Sequence, residues 1–273
     1  MPLRQYKNLN VNYTETGRGR ALILLHGFLE NLQMWDAYVA VLGKRYRVVC
    51  IDLLGHGQSD CHGYVHTMED MADGVKAVLR HLNLRRYIMI GHSMGGYVAL
   101  AYGDLYPDNL IGIGLFFSTP KDDNPERKEL RLRAMEAAKA HPKTYIKSSI
   151  QNLFWSESLT RYKAEVAYVT AEALKTSQQG IVAALAGMRE RPDREALMHF
   201  GPYKFLVING KRDAVLPIAQ MHEIMKAPNV THHLITEHGH MGHIEDAEIC
   251  LHMIQKFIKD THGNLSNIPN RQI

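Results

Sequence analysis

One serine, set at the joint between a strand-like run and a helix-like run, constrains this chain more than any other feature. In Tyr87-Ile-Met-Ile-Gly-His-Ser93-Met-Gly-Gly-Tyr-Val-Ala-Leu-Ala-Tyr102, residues 87–90 are short, apolar and β-rich, as in a strand buried on both faces of a parallel sheet. From Met94 the spacing turns helical, with Met94, Val98, Ala101 and Tyr102 recurring three or four apart. Between the two runs lies Gly91-His92-Ser93-Met94-Gly95. A turn so tight strains its apex and presses neighbouring backbone together, so side chains two before and two after must be absent, and glycine meets that need. The Ser93 hydroxyl then projects at a helix N-terminus, where free N–H groups and the helix dipole favour negative charge developing on a bound group. Gly96 adds a third glycine and strengthens the reading of Ser93 as a nucleophile.

The flanking sequence supplies a sheet for this turn. Residues 11–16 alternate as a strand does, Ala21-Leu-Ile-Leu-Leu25 is an uninterrupted apolar strand, and residues 46–51 form another, each followed by a glycine-containing loop. Helical spacing over 32–42 and 68–82 separates them, and residues 110–117 make a further strand. Strand and helix alternating at short intervals imply a mostly parallel sheet with right-handed crossovers, an α/β fold whose sites lie beyond the carboxyl ends of the strands. His26, Asp52 and Ser93 fall there. Residues 119–176 break the pattern: they hold no strand and carry amphipathic segments at 127–140, 142–154 and 158–174. They are expected to form a helical cap, inserted between core segments 1–118 and 177–273. The core resumes as a helix at 177–189, strands at 204–208 and 231–236, and helices at 218–225 and 244–258, and the polar tail from Thr261 is expected to fray.

Composition narrows the partners. A net charge of +4 over 273 residues, with lysines and arginines scattered among acids, lacks the concentrated basic face that nucleic acid needs. Cys50, Cys61 and Cys250 are odd in number and far apart, which reads as reduced thiols, not a disulfide framework. With no apolar stretch of signal-peptide or membrane-spanning length, a soluble cytoplasmic protein acting on a small molecule is expected. No nucleotide-binding glycine loop calls for a cofactor.

The serine turn with its strand and helix resembles the α/β-hydrolase superfamily, and the resemblance extends over nearly the whole chain. A serine hydroxyl needs a base and the base an orienting acid. In the hydrolase pattern the acid sits in a glycine-to-aspartate turn, which falls on Asp213 in Gly210-Lys-Arg-Asp213-Ala-Val-Leu-Pro217. An aspartate in such a turn also serves as a helix cap. Three histidines compete for the base in Glu237-His238-Gly239-His240-Met241-Gly242-His243-Ile244-Glu245. The family places it after a glycine and before a helix carrying an apolar-Glu-x-x-Glu sequence, which ranks His240 first, then His243, then His238. The order Ser93, Asp213, His240 is the hydrolase order. The expected oxyanion donors are the amides of Phe28, after His26-Gly27, and Met94. His26 reads as a structural histidine bonding its loop, His56 and Ser59 as structural, and His92 as packing under the turn.

His238-x-His240-x-x-His243 also resembles the H-x-H-x-D-H zinc signature of metallo-β-lactamase-like proteins, but Gly242 stands where that signature has aspartate, so no metal is expected. Haloalkane dehalogenases and epoxide hydrolases of this fold use aspartate at the position of Ser93, and the carbon–carbon hydrolases resemble H-G-x-G-P-G where this chain has His26-Gly-Phe-Leu-Glu-Asn31. The menaquinone-pathway synthase of the fold resembles the chain in both loops, yet its arginine position holds Tyr97. The resemblance thus implies a serine hydrolase of carboxylic esters or thioesters, with a C–C bond hydrolase or a slow-turnover receptor as alternatives.

Overall fold

The computed structural model describes residues 3–263. Its strands are β1 (Leu3–Tyr6), β2 (Leu9–Thr16), β3 (Ala21–Leu25), β4 (Arg47–Ile51), β5 (Tyr87–His92), β6 (Leu110–Phe116), β7 (Lys204–Gly210) and β8 (Val230–Thr236). They form one sheet in the order β1-β2-β4-β3-β5-β6-β7-β8. β2 runs antiparallel to β1 and β4, and the other pairings are parallel. β1 escaped the sequence reading: it is four residues long, polar in sequence, and joined to β2 through Lys7 and Asn8 at positive φ, so neither length nor alternation marks it.

Period-two alternation clothes the sheet on both faces. Leu22 and Leu24 of β3 pack with Ile88 and Ile90 of β5 against Trp35, Tyr38, Phe257 and Ile258. Ile23 and Leu25 pack with Met89 on the other face, in a cluster with Val75, Val78, Val98 and Ala101. Strands buried on both sides are continuous apolar runs for this reason. The covering helices are α1 (Asp36–Leu42), preceded by a 3₁₀ turn, Leu32–Trp35, α2 (Met68–His81) and α3 (Met94–Leu105).

Between β6 and β7 the chain leaves the sheet for α4 (Pro125–Ala140), α5 (Pro142–Gln151), α6 (Ser158–Arg161), α7 (Lys163–Ala173), α8 (Gln178–Glu190) and α9 (Ala196–Phe200). Asn124 caps α4 by accepting from the Arg127 amide at 2.9 Å, with Pro125 in the first turn. The single helix expected over 158–174 is two, divided at Tyr162, whose φ of −103° and ψ of 31° leave the helical region. Its hydroxyl donates to the Glu245 carbonyl at 3.1 Å, a tertiary contact that periodicity does not register. α8 joins insertion to core: Gln178 donates to carbonyls of Ala138 and Lys139, while Gly180 and Gly187 sit where a Cβ would strike the Gly55 and His66 carbonyls.

The chain ends with α10 (Ile218–Ile224), α11 (Gly242–Glu245) and α12 (Ala247–Gly263). The closing helix expected over 244–258 is broken at Asp246, which turns its carboxylate back to His238. α12 also outruns the expected boundary: Thr261 and His262 are buried, so the expected fraying does not begin at Thr261, and residues 264–273 lie outside the described residues. All three cysteines are free thiols.

Asp123 fastens the root of the insertion. Its buried carboxylate receives Arg191 at 2.8 Å, Arg131 at 2.9 Å and Arg127 at 3.3 Å. Burial alone would raise its pKa, but Arg131 and Arg191 outweigh burial and hold it at about 2. Asp123→Ala strands the buried Arg191 and is expected to cost about 3–5 kcal/mol, read as a lower urea midpoint at unchanged slope.

Candidate active site

Ser93 sits at the carboxyl end of β5 with φ 49° and ψ −112°, a conformation disfavoured for any residue with a side chain. The crowding foreseen from the glycines is present. A Cβ on Gly91 would overlap the Gly95 backbone, one on Gly96 would overlap the Ser118 side chain, and one on Gly95 would lie 2.6 Å from the carbonyl oxygens of both Leu25 and His26. The Ser93 amide donates to Phe116 at 3.0 Å, and the Ser118 hydroxyl donates to the Ser93 carbonyl at 2.7 Å. The end of β6 and the residues just beyond it therefore hold both the amide and the carbonyl of Ser93.

Asp213 and His240 come together from loops 27 residues apart. Asp213 Oδ2 lies 2.7 Å from His240 Nδ1, while Oδ1 accepts from the amides of Val215 at 2.7 Å and Leu216 at 2.9 Å. One carboxylate thus binds both its own turn and the His240 ring; the helix-capping role does not arise, because α10 begins after Pro217 without a side-chain cap. Because Nδ1 faces a carboxylate, it carries the proton of neutral His240 and leaves Nε2 as the basic nitrogen. Nε2 is buried and has no hydrogen-bond partner among the described residues. The His240 loop lies against the serine turn: His92 Nε2 is 3.0 Å from the His240 carbonyl, and the two rings are 5.0 Å apart.

The other two histidines of the segment go elsewhere. His238 pairs with Asp246 at 2.8 Å and lies against Trp155. His243 is buried beside His92, and burial takes its pKa down to about 4. The H-x-H-x-x-H triplet therefore does not converge on one point. The group whose ligand atoms lie within 4.8 Å of one another is instead Glu30, His92 and His243.

After β3, the Phe28 amide has no acceptor among the described residues, and neither has Met94 at the head of α3. Leu29 takes φ 62°, a strained value for a branched side chain. His26 spans this loop and the next: Nε2 accepts from the Leu53 amide at 2.9 Å, which puts the proton on Nδ1 for the Gly27 carbonyl at 2.7 Å. Burial keeps it neutral. His56 packs on His26 and Phe28, its pKa lowered by burial to about 3, and Ser59 bonds the Asp52 carbonyl. All three are structural, as read from the sequence.

The sequence profile of the alpha/beta hydrolase fold family matches residues 20–247, a span holding Ser93, Asp213 and His240. The chain belongs to the α/β-hydrolase fold family. A thermophilic esterase from Thermogutta terrifontis is similar with a TM-score of 0.88 and 31% identity, covering 93% of this chain and 94% of that one. The 3-oxoadipate enol-lactonase 1 of Acinetobacter baylyi is 26% identical, over 94% of this chain and 95% of its own length. The dihydrolipoyllysine-residue acetyltransferase component of an acetoin cleaving system from Pseudomonas putida is 28% identical over 84% of this chain. The chain spans 61% of that relative's length, and 29% of three matching mycobacterial proteins.

Within this α/β-hydrolase the sequence reading passed over Glu30. It is 5% exposed and its Oε2 lies 2.6 Å from His92 Nδ1 and accepts from the Gly27 amide at 2.7 Å. A glutamate three residues past Gly27 gives no periodic signal, and its partner lies 62 residues away. His92 was expected to pack beneath the turn and does so, as half of this pair.

Gly95→Ala tests whether the serine turn depends on its contact with the end of β3. The added methyl is expected to abolish turnover of simple esters by more than about a hundredfold, since displacements near 1 Å cost that much, while circular dichroism still reports the α/β fold.

Proposed function

We propose that this α/β-hydrolase is a cofactor-independent serine hydrolase that cleaves a carboxylic ester or thioester through an acyl-enzyme. The observation that carries the reading is the buried Asp213–His240 pair, whose free Nε2 belongs to a loop packed on the strained Ser93 turn. The similar Thermogutta terrifontis protein is an esterase, and the Acinetobacter baylyi relative is an enol-lactonase, acting on a cyclic ester.

In this reading His240 Nε2 takes the Ser93 proton as Oγ attacks the acyl carbon, and Asp213 stabilises the imidazolium through Nδ1–H. The amides of Phe28 and Met94 receive the oxyanion, each worth about 3–4 kcal/mol of transition-state stabilisation. His240 then delivers its proton to the leaving alcohol or thiol. A water enters, gives a proton to Nε2 and attacks the acyl-enzyme; as the bond to Oγ breaks, Nε2 returns that proton to Oγ, which regenerates Ser93 and neutral His240 and releases the acid. Backbone donors suit the oxyanion because they are fixed before charge develops.

The helical insertion supplies the acyl pocket and limits water. Met135, Tyr145, Leu159, Tyr162 and Val166 are half-buried against the core. No helix of the described residues is long and apolar enough to cross a membrane, and three free thiols fit a reducing, cytoplasmic setting for a small acyl substrate.

Hydrolysis of p-nitrophenyl esters from acetate to dodecanoate tests the proposal. Ser93→Ala and His240→Ala are each expected to lower kcat by about 10⁴–10⁶ with KM little changed, and Asp213→Asn by about 10⁴. The ester with the highest kcat/KM reports the reach of the pocket. A Ser93→Ala protein as active as wild type sinks the mechanism, and one equivalent of acylation without turnover marks a slow-turnover receptor instead.

A further inference from the structure

We propose that Glu30 and His92 are positioning residues, a buried ion pair that holds the oxyanion loop and the base loop in register with Ser93. The proposal rests on the serine-hydrolase reading above and adds to it residues outside the triad.

The pair touches three of the segments that the reaction would use. Glu30 Oε2 accepts from the Gly27 amide at 2.7 Å, one residue before the Phe28 amide. His92 Nδ1 meets the same oxygen at 2.6 Å, and its Nε2 lies 3.0 Å from the carbonyl of His240 itself. His92 is the residue before Ser93. The two ends of one imidazole therefore set the spacing between the β3 loop and the His240 backbone, and its Cα sets the position of the serine. A Cβ on Gly27 would lie 2.5 Å from Glu30 Oε2 and 2.6 Å from His92 Nδ1, so the loop closes on the pair without room for a side chain.

Hydrogen-bond chemistry defines the proton content. A carbonyl only accepts, so His92 Nε2 carries a proton. Burial opposes charge on Glu30, but His92 outweighs it and the carboxyl is held at about 2, so it is an acceptor and Nδ1 carries a proton as well. For His92 burial again opposes charge, and Glu30, with the more distant Asp213, raises its pKa above 6.5. The remaining groups around the ring are His26, His240, His243, Phe116 and Phe117. Burial depresses His26 and His243, which leaves the imidazolium facing neutral neighbours at these two positions. The signs follow. Glu30 stays ionised down to about pH 2. As pH rises through the raised pKa of His92, the imidazolium loses its charge and one N–H, leaving the Glu30 carboxylate without a cation beside it.

Glu30, His92 and His243 also have the composition of a metal site, but Glu30 Oε2 and both His92 nitrogens already have partners. The ion pair accounts for these contacts, while Glu30 Oε1 and His243 Nδ1 have no partner among the described residues, so zinc content is one outcome of the test below.

The test compares wild type with Glu30→Gln, Glu30→Asp and His92→Gln. The readouts are p-nitrophenyl acetate turnover from about pH 5 to about pH 10, the rate of Ser93 labelling by a fluorophosphonate, thermal unfolding, and the downfield proton resonances of the histidine ring N–H groups. Glu30→Gln keeps the shape and removes the charge. It is expected to lower kcat by about tenfold to a hundredfold with KM within about twofold. It also moves the alkaline limb of the kcat profile to lower pH, because burial of His92 is then opposed only by the His240 carbonyl and the more distant Asp213, and it shifts the His240 Nδ1–H resonance. Glu30→Asp restores part of kcat and returns the limb toward wild type. His92→Gln lowers kcat and slows Ser93 labelling, with the variant still folded.

An unchanged kcat and pH profile in Glu30→Gln and His92→Gln overturns the proposal. So does a loss of kcat that follows the unfolded fraction at every pH, or one equivalent of zinc in the purified protein that His92→Gln removes. If wild type neither turns over esters nor labels at Ser93, the hydrolase reading has failed. The resonances then decide the positioning separately: an unshifted His240 N–H in Glu30→Gln overturns it.

Discussion

The close crossing of backbone at Ser93 is the constraint on which the rest of the structure depends. β5 lies between β3 and β6, and the turn at its end touches both: Gly95 rests on the Leu25 and His26 carbonyls, and Gly96 on Ser118. Only a parallel arrangement brings these three carboxyl ends to one edge. Leu29, Ser93 and Phe117, the non-glycine residues at positive φ just beyond β3, β5 and β6, mark that edge as the place where strain is stored. Such strain persists only where surrounding contacts over-determine it. Here the hydrogen bonds into the serine peptide and the glycine contacts on either side supply that determination.

The helical insertion is tied to the base loop more closely than a mere cover would need. The His240 amide donates to the Leu153 carbonyl at 2.7 Å, and a Cβ on Gly239 would lie 2.5 Å from the Trp155 amide. Glu245 accepts from the amides of Trp155 at 3.0 Å and Gly239 at 3.2 Å, and burial raises its pKa. A movement of the turn after α5 is therefore also a movement of His240. The insertion and the backbone of His240 are thus linked through a single short segment.

What could be read from the sequence divides along the range of the interactions. The turn at Ser93 could be read because strand, turn and helix signals are local, and the loops of Asp213 and His240, which the structure brings together, because they match the family pattern in a distinctive order. The double-faced apolar strands were found for the same reason. β1 was missed because a four-residue polar edge strand has no pattern, and the breaks at Tyr162 and Asp246 because a tertiary bond to Glu245 in one case, and to His238 in the other, overrides helical periodicity. Glu30 was missed for a deeper reason. Nothing in Gly27-Phe-Leu-Glu30 predicts that its carboxylate meets an imidazole 62 residues on, and a buried ion pair has no sequence signature of its own.

Four histidines within this small volume show how the surroundings divide one chemistry into several. His240 has a carboxylate on Nδ1 and no partner on Nε2 among the described residues, which suits it to the proposed proton transfer. His92 has acceptors on both nitrogens, one of them charged, and holds its protons. His238, paired with Asp246, anchors the start of the loop, and His243, buried without a bonded partner for Nδ1, is kept neutral. A carboxylate beside the imidazole does not by itself separate a proposed base from a structural cation, since His240 and His92 both have one. The separating feature is the far nitrogen. Where it meets a backbone carbonyl the ring is committed to donating, and where it has no partner among the described residues the ring can accept.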